Sequence, residues 1–242
     1  MKISTGIEML EIERKNFMGQ DMIIHPTLIW DHEIAVLVDT GFIDQKSVFL
    51  DQFEKTNVPF ELLRKIILTH HHFDHIGSIS DLLAESSHDI EVLASELERP
   101  FIQGEKSLLT DELVSQIDTW PEQMRNQFLS ELSGTTKVNV NKIVMDGEEL
   151  PYCGGIIVIH TPGHSRGHIS LYHKQSNTLI AADAMVVQDG QLELNPQCSD
   201  IELAQKSLSK FTQYDIEAVI CYHGGLFKEK INERIVKLLK NV

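Results

Sequence analysis

The chain has 242 residues, 42% of them hydrophobic and 24% charged, which predicts one soluble domain with a sizeable core. Its 36 Asp and Glu residues outnumber its 21 Lys and Arg residues, and the resulting charge of −15 argues against nucleic acid or an anionic membrane as a partner. No apolar run is long enough for a membrane span or a secretory signal, so we expect a cytoplasmic protein. The three cysteines, Cys153, Cys198 and Cys221, form no C-x-x-C pair and are expected to be reduced.

The first half of the chain begins with strands and continues with alternating helices and strands. Apolar runs predict a strand near 7–12 and two more over 22–30 and 33–39, with a hairpin turn at Asp31 and His32 between the last two. Farther along, the spacing of apolar residues predicts four elements: a helix over 44–56, a strand over 65–69, a helix over 76–86 and a strand over 90–94.

A long polar and amphipathic stretch follows, and it predicts a helical insertion around residues 95–133. The chain then returns to strands, which are predicted over 137–145, 155–161, 168–173, 178–183, 184–188 and 216–222. A helix over 200–212 and a closing amphipathic helix complete the pattern. Because no low-complexity linker interrupts it, we expect a single domain over residues 1–242 that contains this insertion.

The segment THHHFDHIG, residues 69–77, carries the strongest chemical signal in the sequence. It follows the predicted strand KIILT directly and places four metal-binding side chains within six residues: His70, His72, Asp74 and His75. Neutral imidazoles and carboxylates suit zinc and other divalent first-row metals. Side chains two residues apart on an extended strand end project to one side, while the loop that follows carries its side chains elsewhere. The pattern predicts a metal site with room for two neighbouring ions.

This H-x-H-x-D-H pattern resembles the signature of the metallo-β-lactamase superfamily, and later segments match that superfamily in order. TPGHSRGH, residues 161–168, is similar to the family's T-P-G-H-T-x-G-H segment and supplies His164; IAADA supplies Asp183, and CYHGG supplies His223. The resemblance covers nearly the whole chain. It implies an α/β (α+β) fold, a four-layer αββα sandwich in which helices flank two mixed β-sheets.

The resemblance also implies two divalent metal ions. The seven expected ligands divide into two sets with one bridge: His70, His72 and His164 for one ion, Asp74, His75 and His223 for the other, and Asp183 between them. Zinc is the expected metal, and manganese and iron are alternatives because they accept the same ligands. Such a pair lowers the pKa of a shared water, and the hydroxide attacks carbon or phosphorus. Asp74 is the expected catalytic residue, which orients that hydroxide and relays a proton to the leaving group.

Other polar residues near these motifs have less specific interpretations. Asp39 in LVDTG matches a family position behind the metals, where a carboxylate accepts a histidine N–H; a plain turn aspartate before Gly41 is the alternative. Tyr222 and Arg166 are the nearest candidates for substrate contacts, with a structural or merely exposed role as the alternative. Cys221 is expected in the core. The remaining seven histidines are not expected to bind metal: His25, His32, His71, His88, His160, His168 and His173.

The superfamily contains hydrolases of several bond types, and departures from its branches narrow the choice. Asp183 distinguishes the chain from true β-lactamases, and His72 distinguishes it from the di-iron flavoproteins, which have glutamate at that position. Only 19 residues follow His223, too few for the helical domain of glyoxalase II enzymes. Acyl-homoserine lactonases are similar in length and motif order, but the tyrosine that follows their bridging aspartate is absent from AMVVQDGQLEL, residues 184–194.

We therefore expect a metal-dependent hydrolase that cleaves a small carboxyl ester, lactone or thioester. A small-molecule phosphodiesterase is the alternative, because the same hydroxide can attack phosphorus. A metal-binding protein without turnover is a third hypothesis, and the complete ligand set argues against it. The insertion is expected either to wall an apolar pocket over the metals or to pack as a cover on the sheet or on the second subunit of a homodimer.

Overall fold

The computed structural model of the protein describes residues 1–17 and 19–240. Within them the strands are β1 (Lys2–Ser4), β2 (Ile7–Met9), β3 (Ile12–Phe17), β4 (Gln20–Ile24), β5 (Thr27–Trp30), β6 (Ala35–Val38), β7 (Leu63–Ile67), β8 (Glu91–Ala94), β9 (Lys142–Ile143), β10 (Glu149–Leu150), β11 (Ile156–His160), β12 (Ile169–His173), β13 (Thr178–Ala182), β14 (Met185–Gln188), β15 (Gln191–Leu194), β16 (Ala218–Cys221) and β17 (Gly225–Phe227). The helices are α1 (Lys46–Thr56), α2 (Phe73–Ile76), α3 (Ile79–Glu85), α4 (Arg99–Ile102), α5 (Asp111–Ile117), α6 (Glu122–Gly134), α7 (Ile201–Ser207) and α8 (Ile231–Leu238), with 3₁₀ helices over Phe60–Leu62, Lys174–Ser176 and Leu208–Gln213. None of the helices in this described part of the chain has the length and apolar character needed to cross a bilayer.

Two mixed sheets form the centre of the fold. The first has the strand order β1-β2-β5-β6-β7-β8-β9, antiparallel as far as β6 and parallel from β6 to β9. The second has the order β10-β11-β12-β13-β16-β17, in which β13 and β16 are parallel and the other neighbours antiparallel. Two further hairpins are β3–β4 and β14–β15. The carboxyl ends of neighbouring parallel strands lie at one edge of a sheet, and that edge can carry a site.

The sheets pack face to face and carry helices on their outer faces, which gives four layers. Alternate residues of β6 point to opposite faces. Leu37 joins the core under α1, where Phe49 packs, and Val36 joins the core between the two sheets. On the far side, Leu179 of β13 joins an outer core that Ile235 of α8 completes. The four-layer αββα sandwich expected from the sequence is confirmed.

Where predicted strands differ from those in the structure, two of the differences have a clear cause in the backbone. The strand predicted over 137–145 is reduced to β9, because the backbone before it bonds elsewhere: the Val138 N–H donates to the Ile102 carbonyl oxygen at 3.2 Å. The strand predicted over 22–30 is divided near Pro26, which has no N–H to donate to a ladder. In both cases backbone hydrogen bonding, and not the hydrophobic pattern, decides where the strand ends.

Three helices, α4 to α6, lie where the helical insertion is predicted, between β8 and β9 of the first sheet. Glu131 of α6 is buried and forms an ion pair with Arg14 of β3. Phe73 of α2 packs against Phe17 of β3, with 5.9 Å between ring centroids, and against Phe128 of α6, with 5.0 Å. The β3–β4 hairpin and the insertion therefore meet at the helix that contains Asp74 and His75.

The turn after β6 packs tightly on the end of α2. The Thr40 N–H donates to the His75 carbonyl oxygen at 2.7 Å, and the Gly77 N–H donates to the Gly41 carbonyl oxygen at 2.8 Å. The φ of Gly77 is an ordinary −61°, but a side chain there would lie against the backbone of residues 42 and 43. Glycine is therefore required at position 77 by the close approach of two backbone segments.

We expect Gly77→Ala to lower the free energy of unfolding by about 3 kcal/mol, because the added methyl group overpacks this contact. Gly147→Ala is the matched control: position 147 has open space around it and a φ of 77°. The control should cost about 1 kcal/mol, from left-handed strain alone. Denaturant unfolding of the metal-free variants measures both values. Equal losses would show that the turn after β6 does not constrain α2.

Candidate metal centre

The candidate ligands follow the carboxyl ends of strands in both sheets. His70 and His72 follow β7 of the first sheet, whereas His164, Asp183 and His223 follow β11, β13 and β16 of the second. Side chains at strand ends are supported by a rigid sheet and still open toward solvent on one side. The site therefore lies where the edges of the two sheets adjoin.

Three histidine nitrogens converge in a first group. His164 Nε2 lies 3.2 Å from His70 Nε2 and 3.0 Å from His72 Nδ1. Two nitrogen ligands of a tetrahedral zinc ion lie about 3.3 Å apart, given Zn–N bonds of about 2.0–2.1 Å. His70 Nδ1 lies 3.1 Å from the Thr69 hydroxyl, which leaves Nε2 to face the other two rings. The spacing suits three ligands of one metal ion.

A second group joins Asp74, His75 and His223, and Asp183 lies between the two groups. Asp74 Oδ2 lies 3.4 Å from His223 Nε2 and 3.7 Å from His75 Nε2. Asp183 Oδ2 lies 3.4 Å from His164 Nε2 and 3.5 Å from His223 Nε2. Its other oxygen, Oδ1, lies 3.5 Å from His75 Nε2. One carboxylate thus contacts members of both groups.

The chemistry of this donor set fits metal ions. Ligand-type atoms lie within 4.8 Å of one another in three overlapping groups: His70, His72 and His164; His70, His75 and Asp183; and Asp74, His75 and His223. His75 Nε2 and Asp183 Oδ1 are buried and make no hydrogen bond within the described residues. Buried polar atoms that make no hydrogen bond cost free energy, and a bound cation would offset this cost at the carboxylate and at the deprotonated imidazole. The structure brings together all seven side chains that the sequence nominates.

Asp39 lies next to His75 of the second group. It accepts hydrogen bonds from the end of the strand segment before His70 and from the helix that contains His75. Its Oδ1 accepts the Thr69 N–H, and its Oδ2 accepts the Thr69 hydroxyl and the His75 Nδ1–H, each at 2.8 Å. The bond to Nδ1 leaves His75 Nε2 to face Asp74 and Asp183, the orientation that metal binding requires. The contact between Asp39 and a histidine N–H that the sequence suggests is present.

Acids and histidines of the second group shift one another's pKa. Burial alone would raise the pKa of Asp74, but His75 and His223 lower it to about 2. Burial would lower the pKa of His223, but Asp183 and Asp74 raise it to about 10. Asp39, Asp74 and Asp183 likewise raise the pKa of His75, against the effect of burial. Without metal, the pairing of His223 stabilises the fold fully below pH 6.5, and this stabilisation is lost as the pH rises through about 10.

The first group shows the opposite electrostatic behaviour. Burial lowers the pKa of His72 to about 4, and it lowers the pKa values of His70 and His164 well below their usual range. These three rings are therefore neutral at pH 7, which is the form that binds a metal ion. The second group must release protons before it can do the same.

Glu98, a buried carboxylate that the sequence analysis missed, lies between the two loops that carry the first group. Its Oε2 accepts the His71 N–H at 3.0 Å and contacts His71 Nδ1. Its Oε1 accepts the Ser165 hydroxyl and the Gly167 N–H, each at 2.7 Å. Burial would raise the pKa of Glu98, but the bonds from His71, Ser165 and Gly167 lower it to about 2. No local signal marks this glutamate, because its partners lie in two distant segments.

His168 supports Asp183 through the backbone. Its Nε2 accepts the Asp183 N–H at 3.2 Å, and its Nδ1 lies 2.8 Å from the Thr161 hydroxyl. Because a backbone N–H can only donate, Nε2 is unprotonated and Nδ1 carries the ring proton. Ala182, directly before Asp183, has a φ of 48°, a left-handed conformation that costs alanine free energy. Asp183 is therefore placed by a strained backbone and a buried histidine together.

Tyr222 is a structural residue in the molecule. It is buried, stacks on His75 with 3.8 Å between ring centroids, and donates its hydroxyl to the Asp74 carbonyl oxygen. Arg166, the other candidate for a substrate contact, is exposed on the loop after His164. The three cysteines are free, and Cys221 is buried as expected. Within the described residues, the metal-type groups include none of the seven histidines that the sequence analysis set aside.

The insertion contains a cavity of 630 Å³. Phe101, Leu108 and Leu109 line it, as does Ile76 of α2, but its described lining includes none of the seven candidate ligands. Other apolar residues of the insertion pack differently: Trp120 contacts Phe128, with 5.3 Å between ring centroids. The cavity therefore borders the helix that carries two candidate ligands, and it lies mainly within the insertion.

Comparisons with known proteins agree with these observations. The family model described as the Metallo-beta-lactamase superfamily matches residues 20–223. The probable metallo-hydrolase YflN of Bacillus subtilis is 29% identical over 206 residues, which cover 78% of this chain and 75% of YflN. The probable metallo-hydrolase YqjP of the same organism is 26% identical over 211 residues, which cover 79% of this chain and 64% of YqjP.

A solved structure shows the same fold. The metallo-beta-lactamase family protein TTHA1429 from Thermus thermophilus matches with a TM-score of 0.73, over 98% of this chain and 79% of its own. The two chains are 20% identical, so the likeness concerns the fold and carries no information about substrate.

We expect zinc uptake to release protons, on the order of two at pH 7. Neighbouring carboxylates raise the pKa values of His75 and His223 in the metal-free protein, and an imidazole binds metal only after its ligand nitrogen has lost its proton. The apparent affinity should therefore rise steadily between pH 6 and pH 8, since the pKa of His223 lies at about 10. Calorimetric titration in buffers with different ionisation enthalpies counts the protons. Uptake without proton release would contradict the assignment of these two histidines as ligands.

Proposed function

Because the chain belongs to the metallo-β-lactamase superfamily, we propose that it is a metal-dependent hydrolase of a small carboxyl ester, lactone or thioester. One observation carries the proposal: Asp183 oxygens lie within 3.5 Å of ring nitrogens of His164, His75 and His223, which belong to both ligand groups. A carboxylate in this position suits a bridge between two neighbouring ions. The names of YflN and YqjP, both probable metallo-hydrolases, support hydrolysis as the reaction.

We assign two divalent ions to the site. Their proposed ligands are His70, His72 and His164 for one ion, Asp74, His75 and His223 for the other, and Asp183 for both. Imidazole-rich sites with carboxylates suit zinc, and manganese and iron are the alternatives. When bound, the ions would activate a water molecule and stabilise the negative charge that develops on the substrate.

Asp74 is proposed as the catalytic residue, which orients the attacking water and passes its proton to the leaving group. The side chain of Asp74 is 13% exposed and that of Asp183 is 4% exposed, so Asp74 is the carboxylate that a substrate can approach. A pKa of about 2 keeps it ionised at neutral pH, so it can accept a hydrogen bond from water. The Tyr222 hydroxyl donates a hydrogen bond to the backbone carbonyl oxygen of Asp74 and so limits the movement of Asp74.

The charge of the chain favours an acyl substrate. A formal charge of −15 repels anionic molecules, among them phosphodiesters, whereas uncharged esters, lactones and thioesters approach without this penalty. The presence of Asp183 also separates the site from that of true β-lactamases, so a β-lactam is not the expected substrate.

The test is hydrolysis by the zinc- or manganese-loaded protein of a lactone, an acyl thioester, a β-lactam and an activated phosphodiester. Each reaction has a chelator-treated control. We expect chelator-sensitive cleavage of the lactone or the thioester. Cleavage of the phosphodiester alone would instead establish the phosphodiesterase alternative, and a metal-loaded protein that is inert toward all four would indicate metal binding without turnover.

Two variants separate the roles of the carboxylates. Asp183→Ala should lower metal content and hydrolysis together, because it removes the proposed bridge. Asp74→Ala should reduce turnover by about 10²- to 10⁴-fold, as for loss of a general acid–base group, with a smaller effect on the free energy of unfolding. Asp51→Ala, on the exposed face of α1, is the control and should change neither property. Full turnover by Asp74→Ala would refute the assigned mechanism.

A further inference from the structure

We propose that Glu98 is a positioning residue, which sets the distance between the two loops that carry His70, His72 and His164 and thereby sets the affinity of this group for metal. This inference rests on the proposed metal-dependent function. It concerns a residue outside the seven proposed ligands and outside both sequence motifs. Glu98 lies in a third segment, between β8 and α4.

The three histidines depend on two loops that have to be placed relative to each other. His70 and His72 lie on the loop after β7, and His164 lies on the loop after β11 in the other sheet. Metal–ligand distances tolerate deviations of only about 0.2 Å. A shift of one loop by a fraction of an ångström therefore removes one ligand from the set.

Glu98 bonds both loops at positions next to the ligands. On one side it accepts from His71, which lies between His70 and His72. On the other side it accepts from Ser165, which directly follows His164. A change at Glu98 is therefore transmitted to the ligands through a single peptide unit on each loop.

Neighbouring contacts make Glu98 a rigid connection. The His71 ring stacks on Phe101, with 4.1 Å between centroids and 12° between planes, so this contact supports the ring. The Ser95 hydroxyl donates to the Gly167 carbonyl oxygen at 2.6 Å. This bond joins the segment that contains Glu98 to the loop after β11 a second time. Glu98 itself is 1% exposed, so water does not compete for its oxygens.

Only a carboxylate can accept all of these hydrogen bonds. Glu98 receives the backbone N–H groups of His71 and Gly167 and the Ser165 hydroxyl, in addition to its contact with His71 Nδ1. An amide of the same shape has one oxygen and one NH₂ group, and the NH₂ group would face a backbone N–H. Glu98→Gln therefore preserves volume and disrupts the connection between the loops.

The experiment measures zinc affinity by competition with a chromophoric chelator, and the d–d absorption spectrum of the cobalt(II)-loaded protein. We expect Glu98→Gln to weaken one of the two zinc-binding steps, the step that fills the group of His70, His72 and His164. The expected loss is about 10- to 100-fold, as for other residues that orient metal ligands. The cobalt spectrum should change, because it reports ligand geometry at the ion. Ser165→Ala removes only one of the hydrogen-bond donors to Glu98 and should weaken the same step by a smaller factor. This variant also tests the proposal if Glu98→Gln does not fold.

Glu96→Gln is the matched control, because Glu96 lies two residues from Glu98 and its side chain is 56% exposed. In the described part of the chain, its one ion pair is with Arg99, at 2.8 Å. It should change neither affinity nor spectrum. Wild-type protein that binds no metal would overturn the proposed function itself. If the wild-type protein binds metal but Glu98→Gln and Ser165→Ala leave the zinc affinity and the cobalt spectrum unchanged, only the role of Glu98 is overturned. A lower free energy of unfolding with unchanged affinity would likewise overturn it and leave a purely structural residue.

Discussion

Burial of negative charge is the constraint on which the centre depends. Asp39, Asp74 and Asp183 have side chains that are 1%, 13% and 4% exposed. Removing an ionised carboxylate from water costs several kcal/mol unless a partner offsets it. The imidazoles of His75 and His223 are those partners, and they contact the carboxylates at distances between 2.8 and 3.7 Å. The strand ends, the strained residue before Asp183 and the tight turn at Gly77 all serve to place these groups.

The two groups of candidate ligands differ in what they would need before a metal ion binds. The rings of His70, His72 and His164 are already neutral, so their requirement is geometric: the His70 and His72 nitrogens have to stay about 3 Å from His164 Nε2. The second group has an electrostatic requirement, because His75 and His223 are charged while their carboxylate partners are near. Glu98 is suited to the geometric requirement, and Asp39 is suited to the requirement of the second group. The former bonds the loops of the first group, and the latter orients His75 in the second.

The sequence predicts most of the fold and the candidate ligands, since those signals are local. A strand that runs into H-x-H-x-D-H is visible in ten residues, and an alternating or continuous apolar run marks most strands. Glu98 could not be found in this way, because its partners His71 and Ser165 lie 27 and 67 positions away. The contact of His168 with the Asp183 N–H could not be found in this way either, because the two residues lie 15 positions apart. The length of β9 depended on long-range backbone bonds for the same reason.

The division of the candidate ligands between two sheets has a consequence for how the protein is made. Strands of the first sheet end at β9, and those of the second begin at β10, so the chain completes one sheet before it starts the other. During synthesis, the ligands within residues 70–75 leave the ribosome well before those at 164, 183 and 223, and domains generally assemble in that direction. An early chain can therefore offer a metal ion only part of its coordination. Because the complete candidate set exists only after the sheets dock, a metal ion that binds it as proposed would stabilise the docked state selectively and shift the balance away from half-assembled chains.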